Sequence, residues 1–262
     1  MEQVKLTTYD GVELVANLYL PSKVEGGGEW SSGIIVCHGF ASNKENYAHF
    51  GEMAGENGYA ALILDLRGHG ESGGEVDANI FNDVAAALQY LQSRPEVNPT
   101  SIAIQGSSLG GWLAVHTAAH LKDVSPVVAY APPNEAMLTI LMEEVALVQR
   151  GHSSPMVPEN PPKVNVNSMI QLLYRLDITK SARRIYPRPL LLIHCEGDEE
   201  IPSIFSERIY SAIEEPKTLW LIPGGNHRFA QHDPETNKRV LDWLAMSRPE
   251  TEKLSLDTLP DD

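Results

Sequence analysis

Ser101-Ile-Ala-Ile-Gln-Gly-Ser-Ser-Leu-Gly-Gly-Trp-Leu-Ala-Val115 runs from a short apolar stretch (Ile102, Ala103, Ile104) through a corner into a helix-period pattern (Leu109, Leu113, His116, Ala119). The corner, Gly106-Ser107-Ser108-Leu109-Gly110, reads G-x-S-x-G. A residue at so tight a strand-to-helix corner is held in an unfavourable backbone conformation, and close packing leaves room only for small neighbours two positions to either side. Glycine fills both places. The corner exposes the Ser108 hydroxyl and aims the first free N–H groups of the following helix at whatever binds there, where the helix dipole favours negative charge. Ser107 has no glycine at minus two or plus two and reads as structural.

The same alternation extends outward. Val4 to Leu20 alternates and breaks at Asp10-Gly11, which predicts an antiparallel hairpin with the Asp-Gly pair supplying the positive backbone angles of its turn. Gly26-Gly27-Gly28 reads as a flexible loop. Gly33 to Gly39 and Tyr59 to Asp65 are near-continuous apolar runs, as expected of parallel strands covered on both faces. Helices are predicted over Asn43–Asn57, Ile80–Ser93, Leu109–Leu121, Ser203–Glu214 and Pro234–Met246. Further strands are expected at Pro126–Tyr130, Leu190–His194 and Thr218–Ile222. Strand-helix repetition of this kind implies a mostly parallel eight-stranded sheet wrapped by helices, an α/β architecture with an antiparallel start.

Two segments break the rhythm. Residues 134–188 are too long for a connection and divide into a helical stretch (Glu135–Arg150), a proline-rich loop (His152–Val164) and a second helical stretch (Ser168–Leu176). They read as a small helical cap inserted into a core of residues 1–133 and 189–248. Residues 249–262 are acidic and poor in apolar side chains, the composition of a disordered tail.

At 262 residues the chain suits one large domain, and its net charge of −15 argues against a nucleic-acid partner or an anionic membrane surface. The first residues carry neither a basic stretch nor an apolar core of a signal peptide, and no run approaches a membrane span, so a cytoplasmic location is expected. Cys37 and Cys195 each end an apolar run and read as packed thiols. No His, Cys or carboxylate group has metal-ligand spacing, so no metal is expected. Gly68-His-Gly-Glu-Ser-Gly73 matches G-x-G-x-x-G, but no helix opens behind it, and no dinucleotide or other cofactor is expected.

A serine hydroxyl at neutral pH needs a base within hydrogen-bond reach and a third group to orient that base. In a parallel sheet these partners belong just past the carboxyl ends of later strands. Asp198, in Glu196-Gly-Asp-Glu-Glu-Ile-Pro202, and His227, in Pro223-Gly-Gly-Asn-His227, fit that requirement, with Glu199 and Glu200 crowding the acid. His38 and His69 fall in loops where a structural hydrogen bond is the expected role. His116 and His120 read as helix residues, His194 as a strand-end residue beside the acid, and His232 as a rival base placed at a helix start.

On these residues the chain resembles the α/β-hydrolases of the serine esterase and lipase type over nearly its whole length. His38-Gly39-Phe40 resembles their oxyanion loop, and Asp65-Leu-Arg-Gly-His-Gly-Glu-Ser-Gly73 the loop after the next strand. Asp198-Glu-Glu-Ile-Pro202 resembles their acid-bearing turn and Gly225-Asn-His227 their histidine loop; Cys195 departs from the usual glycine. The resemblance implies an α/β-hydrolase fold with Ser108 as nucleophile, His227 as base and Asp198 as acid, and with the backbone N–H groups of Phe40 and Leu109 as oxyanion donors. It also implies ester hydrolysis, with feruloyl-type and monoacylglycerol-type enzymes pointing to small or medium acyl or aromatic esters. Met137, Leu141, Met142, Leu172 and Leu173 of the cap are candidates to line an acyl pocket. The competing readings are a ligand-binding protein that keeps the fold with little or no turnover, and thioesterase or haloperoxidase-type activity. The sequence does not fix the natural ester or the oligomeric state.

Overall fold

The computed structural model describes residues 1–21 and 31–247, so the glycine loop at 26–28 and the acidic tail at 249–262 lie outside the described residues. An eight-stranded sheet in the order β1-β2-β4-β3-β5-β6-β7-β8 forms the centre. Its strands are β1 (Glu2–Thr7), β2 (Glu13–Tyr19), β3 (Ser31–Cys37), β4 (Tyr59–Leu64), β5 (Val97–Ser107), β6 (Val124–Tyr130), β7 (Leu190–Cys195) and β8 (Lys217–Ile222). β2 pairs antiparallel with both β1 and β4, and every other pair is parallel. The β1–β2 turn departs from expectation: Gly11 takes a φ of +83°, but Asp10 does not join it in the left-handed region. The loop closes through the Gly11 N–H donating to the Thr8 carbonyl and the Thr8 N–H to the Val12 carbonyl, each at 2.9 Å, so one left-handed residue suffices.

Helices cover both faces: α1 (Ala48–Glu56), α2 (Phe81–Ser93), α3 (Leu109–His120), α4 (Glu135–Gln149), α5 (Val166–Leu173), α6 (Ile178–Arg183), α7 (Ile204–Ala212), α8 (Phe229–His232) and α9 (Pro234–Met246). The expected helix from Asn43 is split, its first turn being a 3-10 turn over Lys44–Tyr47 capped by the Asn43 side chain. Side chains of β3 sort by parity. Ile35 and Cys37 join the core under α2, α3 and α4, and Ile34 and Val36 join the one under α1 and α9, as a strand buried on both faces requires.

The 134–188 segment holds three helices rather than two. Asn134, Asn165 and Asp177 cap α4, α5 and α6 through their side-chain oxygens. The second helix therefore starts and ends earlier than periodicity alone suggested. α5 packs on α4, whereas α6 packs on α3 and α7 of the main body. Asp177 three residues before Lys180 is the capping signal that marks α6 in the sequence.

The loop after β4 is held by buried charge. Arg67, 1% exposed, donates from Nε to Asp83 at 2.8 Å, from Nη1 to Asp77 at 2.7 Å and from both terminal nitrogens to Asp10 at 2.9 and 3.0 Å. It thereby ties the first hairpin, the loop and α2 together. Removing one partner of a buried pair leaves the other uncompensated. Arg67→Ala is expected to cost about 3–5 kcal/mol in denaturant unfolding, because Asp83 stays fully buried. Unchanged stability would mean that the network adds nothing.

Candidate active site

Ser108 sits between β5 and α3 at φ +54° and ψ −119°, a backbone region L-residues avoid unless their surroundings enforce it. The enforcement is visible on either side. A Cβ on Gly106 would overlap the Gly110 carbonyl, and one on Gly110 would overlap the carbonyls of Cys37 and His38. The Ser108 N–H donates to the Tyr130 carbonyl at 2.8 Å, and its carbonyl accepts the Trp112 N–H at 2.9 Å. Both bonds use the backbone, and among the described residues the hydroxyl has no hydrogen-bond partner.

The His38-Gly39-Phe40 loop lies against this corner, since a Cβ on Gly39 would come within 3.3 Å of the Ser108 Cβ. Two imidazoles brace the loop. His38 donates from Nδ1 to the Gly39 carbonyl at 2.7 Å and accepts the Leu66 N–H on Nε2 at 3.1 Å. His69 donates from Nδ1 to the Arg67 carbonyl at 3.1 Å and accepts the Ala41 N–H at 3.3 Å. Burial pushes His38 down to about 4 and His69 down to about 3, so both stay neutral and keep these donor and acceptor roles through the physiological range. Leu109 opens α3, where a first-turn N–H has no partner within its helix.

Past the end of β7, Asp198 is 7% exposed. Its Oδ1 accepts the N–H groups of Glu200 (3.0 Å) and Ile201 (2.8 Å), and its Oδ2 accepts His227 Nδ1 at 2.7 Å. Burial works to raise the Asp198 pKa, but the hydrogen bonds from His194, His227 and the Ile201 amide outweigh it and hold the carboxyl well below the usual range. Glu199 and Glu200 are exposed at the cavity rim. Among the described residues Asp198 is the carboxylate bonded to His227. Cys195, free and buried like Cys37, is accommodated by a glycine opposite, because a Cβ on Gly225 would approach its Sγ to 3.0 Å.

Ser108 and His227 both line a cavity of about 880 Å³, together with Phe40 and Leu109. Of the pocket candidates, Met137 and Leu141 line it, and Met142, Leu172 and Leu173 do not. Met142 and Leu173 are buried in the hydrophobic core that α4 and α5 help to form, with Leu172 packed against it. Met142 follows Leu138 by one turn of α4 and is fully buried, packed into the core and not reaching the cavity. Pro155, Met156, Val157 and Pro158 complete this apolar wall; their apolar run inside the proline-rich loop was the available signal.

The cavity also has a polar lining, with Asn46, Tyr47, Ser107, Gln231 and His232. Burial pushes the Tyr47 phenol up to about 12, with the neighbouring Ser107 hydroxyl working against it, and Gln231 Oε1 is buried without a hydrogen-bond partner among the described residues. His232 ends α8 and directly precedes the Asp233 cap of α9, with its ring 5.3 Å from that of Tyr47. His116 is buried, bonding Glu135 from Nε2 at 2.9 Å and Ser181 from Nδ1 at 2.8 Å, which joins α3 to α4 and α6. A second cavity, of about 670 Å³, is lined by Thr100, Lys122, Ser125 and Arg188 near the starts of β5, β6 and β7, away from these groups. Among the described residues no helix is long and apolar enough to cross a membrane.

Residues 29–165 match the family model described as serine aminopeptidase, S33. The uncharacterized protein YfhR of Escherichia coli K12 is 28% identical over 251 residues, 93% of this chain and 80% of YfhR. Two solved structures share the fold. The α/β hydrolase GrgF from a Penicillium species superposes with a TM-score of 0.76 at 22% identity, covering 94% of this chain and 98% of GrgF. Est1E from Butyrivibrio proteoclasticus, solved with ferulic acid bound, gives 0.73 at 22% identity, covering 92% and 98%.

Proposed function

The chain belongs to the α/β-hydrolase family described as serine aminopeptidase, S33, and from that footing we propose that it is a serine hydrolase cleaving carboxylic esters of small to medium acyl or aromatic acids. The observation that carries this reading is the 2.7 Å bond between His227 Nδ1 and Asp198 Oδ2 at the cavity that also holds Ser108 on its strained corner. A neutral imidazole whose Nδ1–H donates a hydrogen bond to a carboxylate has Nε2 unprotonated and ready to act as a base.

In this mechanism Ser108 Oγ attacks the ester carbonyl while His227 Nε2 takes its proton, and Asp198 holds the tautomer and stabilises the imidazolium. The oxyanion lies on the N–H groups of Phe40 and Leu109, each worth about 3 kcal/mol by analogy with known donors. When the C–O bond breaks, His227 returns the proton to the leaving alcohol. Water then enters, gives its proton to His227 and attacks the acyl-enzyme, and the acid departs as Ser108 recovers its proton. Residues 134–188 serve as the cap over the core of residues 1–133 and 189–248. One arm of the substrate rests on Met137, Leu141 and Val157, and the other, more polar arm on Tyr47 and Gln231.

A chain-length series of p-nitrophenyl esters run beside an acyl thioester and an aminoacyl p-nitroanilide tests the proposal. Turnover highest on short to medium esters is the expected result. Turnover of the anilide alone would replace the ester reading with a peptidase. Folded protein inert toward all three and toward a fluorophosphonate probe would leave a ligand-binding protein.

A further inference from the structure

His194, in β7 four residues before Asp198, is fully buried and has no part in the proton transfers above. Its ring touches the turn that carries Asp198 and the first turn of α7. Nε2 stands 2.7 Å from the Ile201 carbonyl and 3.3 Å from Asp198 Oδ2, and Nδ1 stands 2.8 Å from Ser206 Oγ in α7. A carbonyl only accepts, so Nε2 carries a proton and shares it between the two oxygens. In the neutral ring Nδ1 is then left to accept the Ser206 hydroxyl proton.

The carboxylate of Asp198 is consequently held at both ends. Two amides of its own turn fix Oδ1, and Oδ2 lies between His227 and His194. Without His194, Oδ2 keeps a single donor, which sits on the histidine loop the carboxylate must itself orient. The Ile201 carbonyl, in the same turn, loses its partner as well. Buried networks of this kind act as units, and a half-satisfied member costs more than its own bond.

We propose that His194 is a positioning residue for the reaction, fixing the rotamer of Asp198 and the turn that carries it, and that Ser206 sets the tautomer in which His194 does so. This rests on the Ser-His-Asp reading of the site. It differs from simple packing, because packing needs the volume of the ring and not its N–H.

The test compares His194→Leu, His194→Gln and Ser206→Ala with the wild type. It uses steady-state kinetics on the best p-nitrophenyl ester and the low-field proton NMR resonance of the His227 Nδ1–H bonded to Asp198. The leucine variant is expected to lose roughly 10²-fold in kcat, the scale of a small misplacement at a reacting centre, with KM little changed and the low-field resonance broadened or lost. Glutamine, which keeps an N–H donor near the place of Nε2, restores part of both, and Ser206→Ala falls between wild type and leucine. Wild-type kcat and an unaltered resonance in a folded leucine variant overturn the proposal, as does an equal loss in the leucine and glutamine variants. If leucine prevents folding, Ser206→Ala decides: an unchanged kcat and resonance overturn it. A resonance that depends on His194 in a protein with no ester turnover would support the positioning role while removing the esterase reading.

Discussion

Ser108→Ala is expected to lower ester turnover by roughly a million-fold, the scale seen when the nucleophile of a serine triad is removed, while the protein stays folded. The size follows from the division of labour. Without Oγ no acyl-enzyme forms, and only oxyanion stabilisation and binding remain, worth about 10³ to 10⁴ over water in other triads. Stability is expected to hold, because the Ser108 backbone bonds to Tyr130 and Trp112 do not involve the hydroxyl. Alanine also meets the same Cβ constraint at φ +54° that serine already satisfies. Thermal unfolding beside p-nitrophenyl ester kinetics checks both halves. Undiminished turnover would end the assignment of Ser108, and a lost fold would show that the corner needs the hydroxyl itself.

Gly110→Ala is expected to have the largest effect on stability, more than about 4 kcal/mol, which few single substitutions reach. Its Cβ would overlap the carbonyls of Cys37 and His38, so α3 must retreat from the end of β3 or the strand must bend. Neither moves cheaply, because β3 is hydrogen-bonded to β4 and β5 and nearly every residue of α3 is buried. Gly151 is the useful contrast: it has a φ of +91°, but a Cβ there meets nothing within 4 Å. Gly151→Ala should therefore cost only the conformational penalty of about 1–2 kcal/mol. Denaturant midpoints of the two variants measure the difference. If they are equal, close approach does not explain why position 110 is glycine.

Local signals revealed much of the molecule because they report local physics. The period of two in residues 4–20, the doubly buried runs ending at Cys37 and Leu64, and the G-x-S-x-G corner each reflect constraints settled within a few residues. The last helix, with Asp233 as cap and Pro234 at its first position, begins and ends where the sequence puts it. Boundaries failed where a cap mattered more than apolar spacing. The helix opened by Asp177 was missed, and the Asn165 cap moved the start of α5 forward to Val166.

From the sequence by itself came the sheet-and-helix architecture, the corner that presents Ser108, and the chain order in which an aspartate and a histidine follow it. Only the tertiary structure decided that Asp198, rather than Glu199 or Glu200, bonds His227, that Met137 and Leu141 line the cavity while Met142 is buried in the core, and that His194 and Ser206 stand behind the acid. The physical reason is that strand, corner and cap are set by neighbours along the chain. Which side chains meet depends instead on how β7, α7 and the histidine loop pack across a sheet whose contacts are long-range, and no residue spacing encodes that packing.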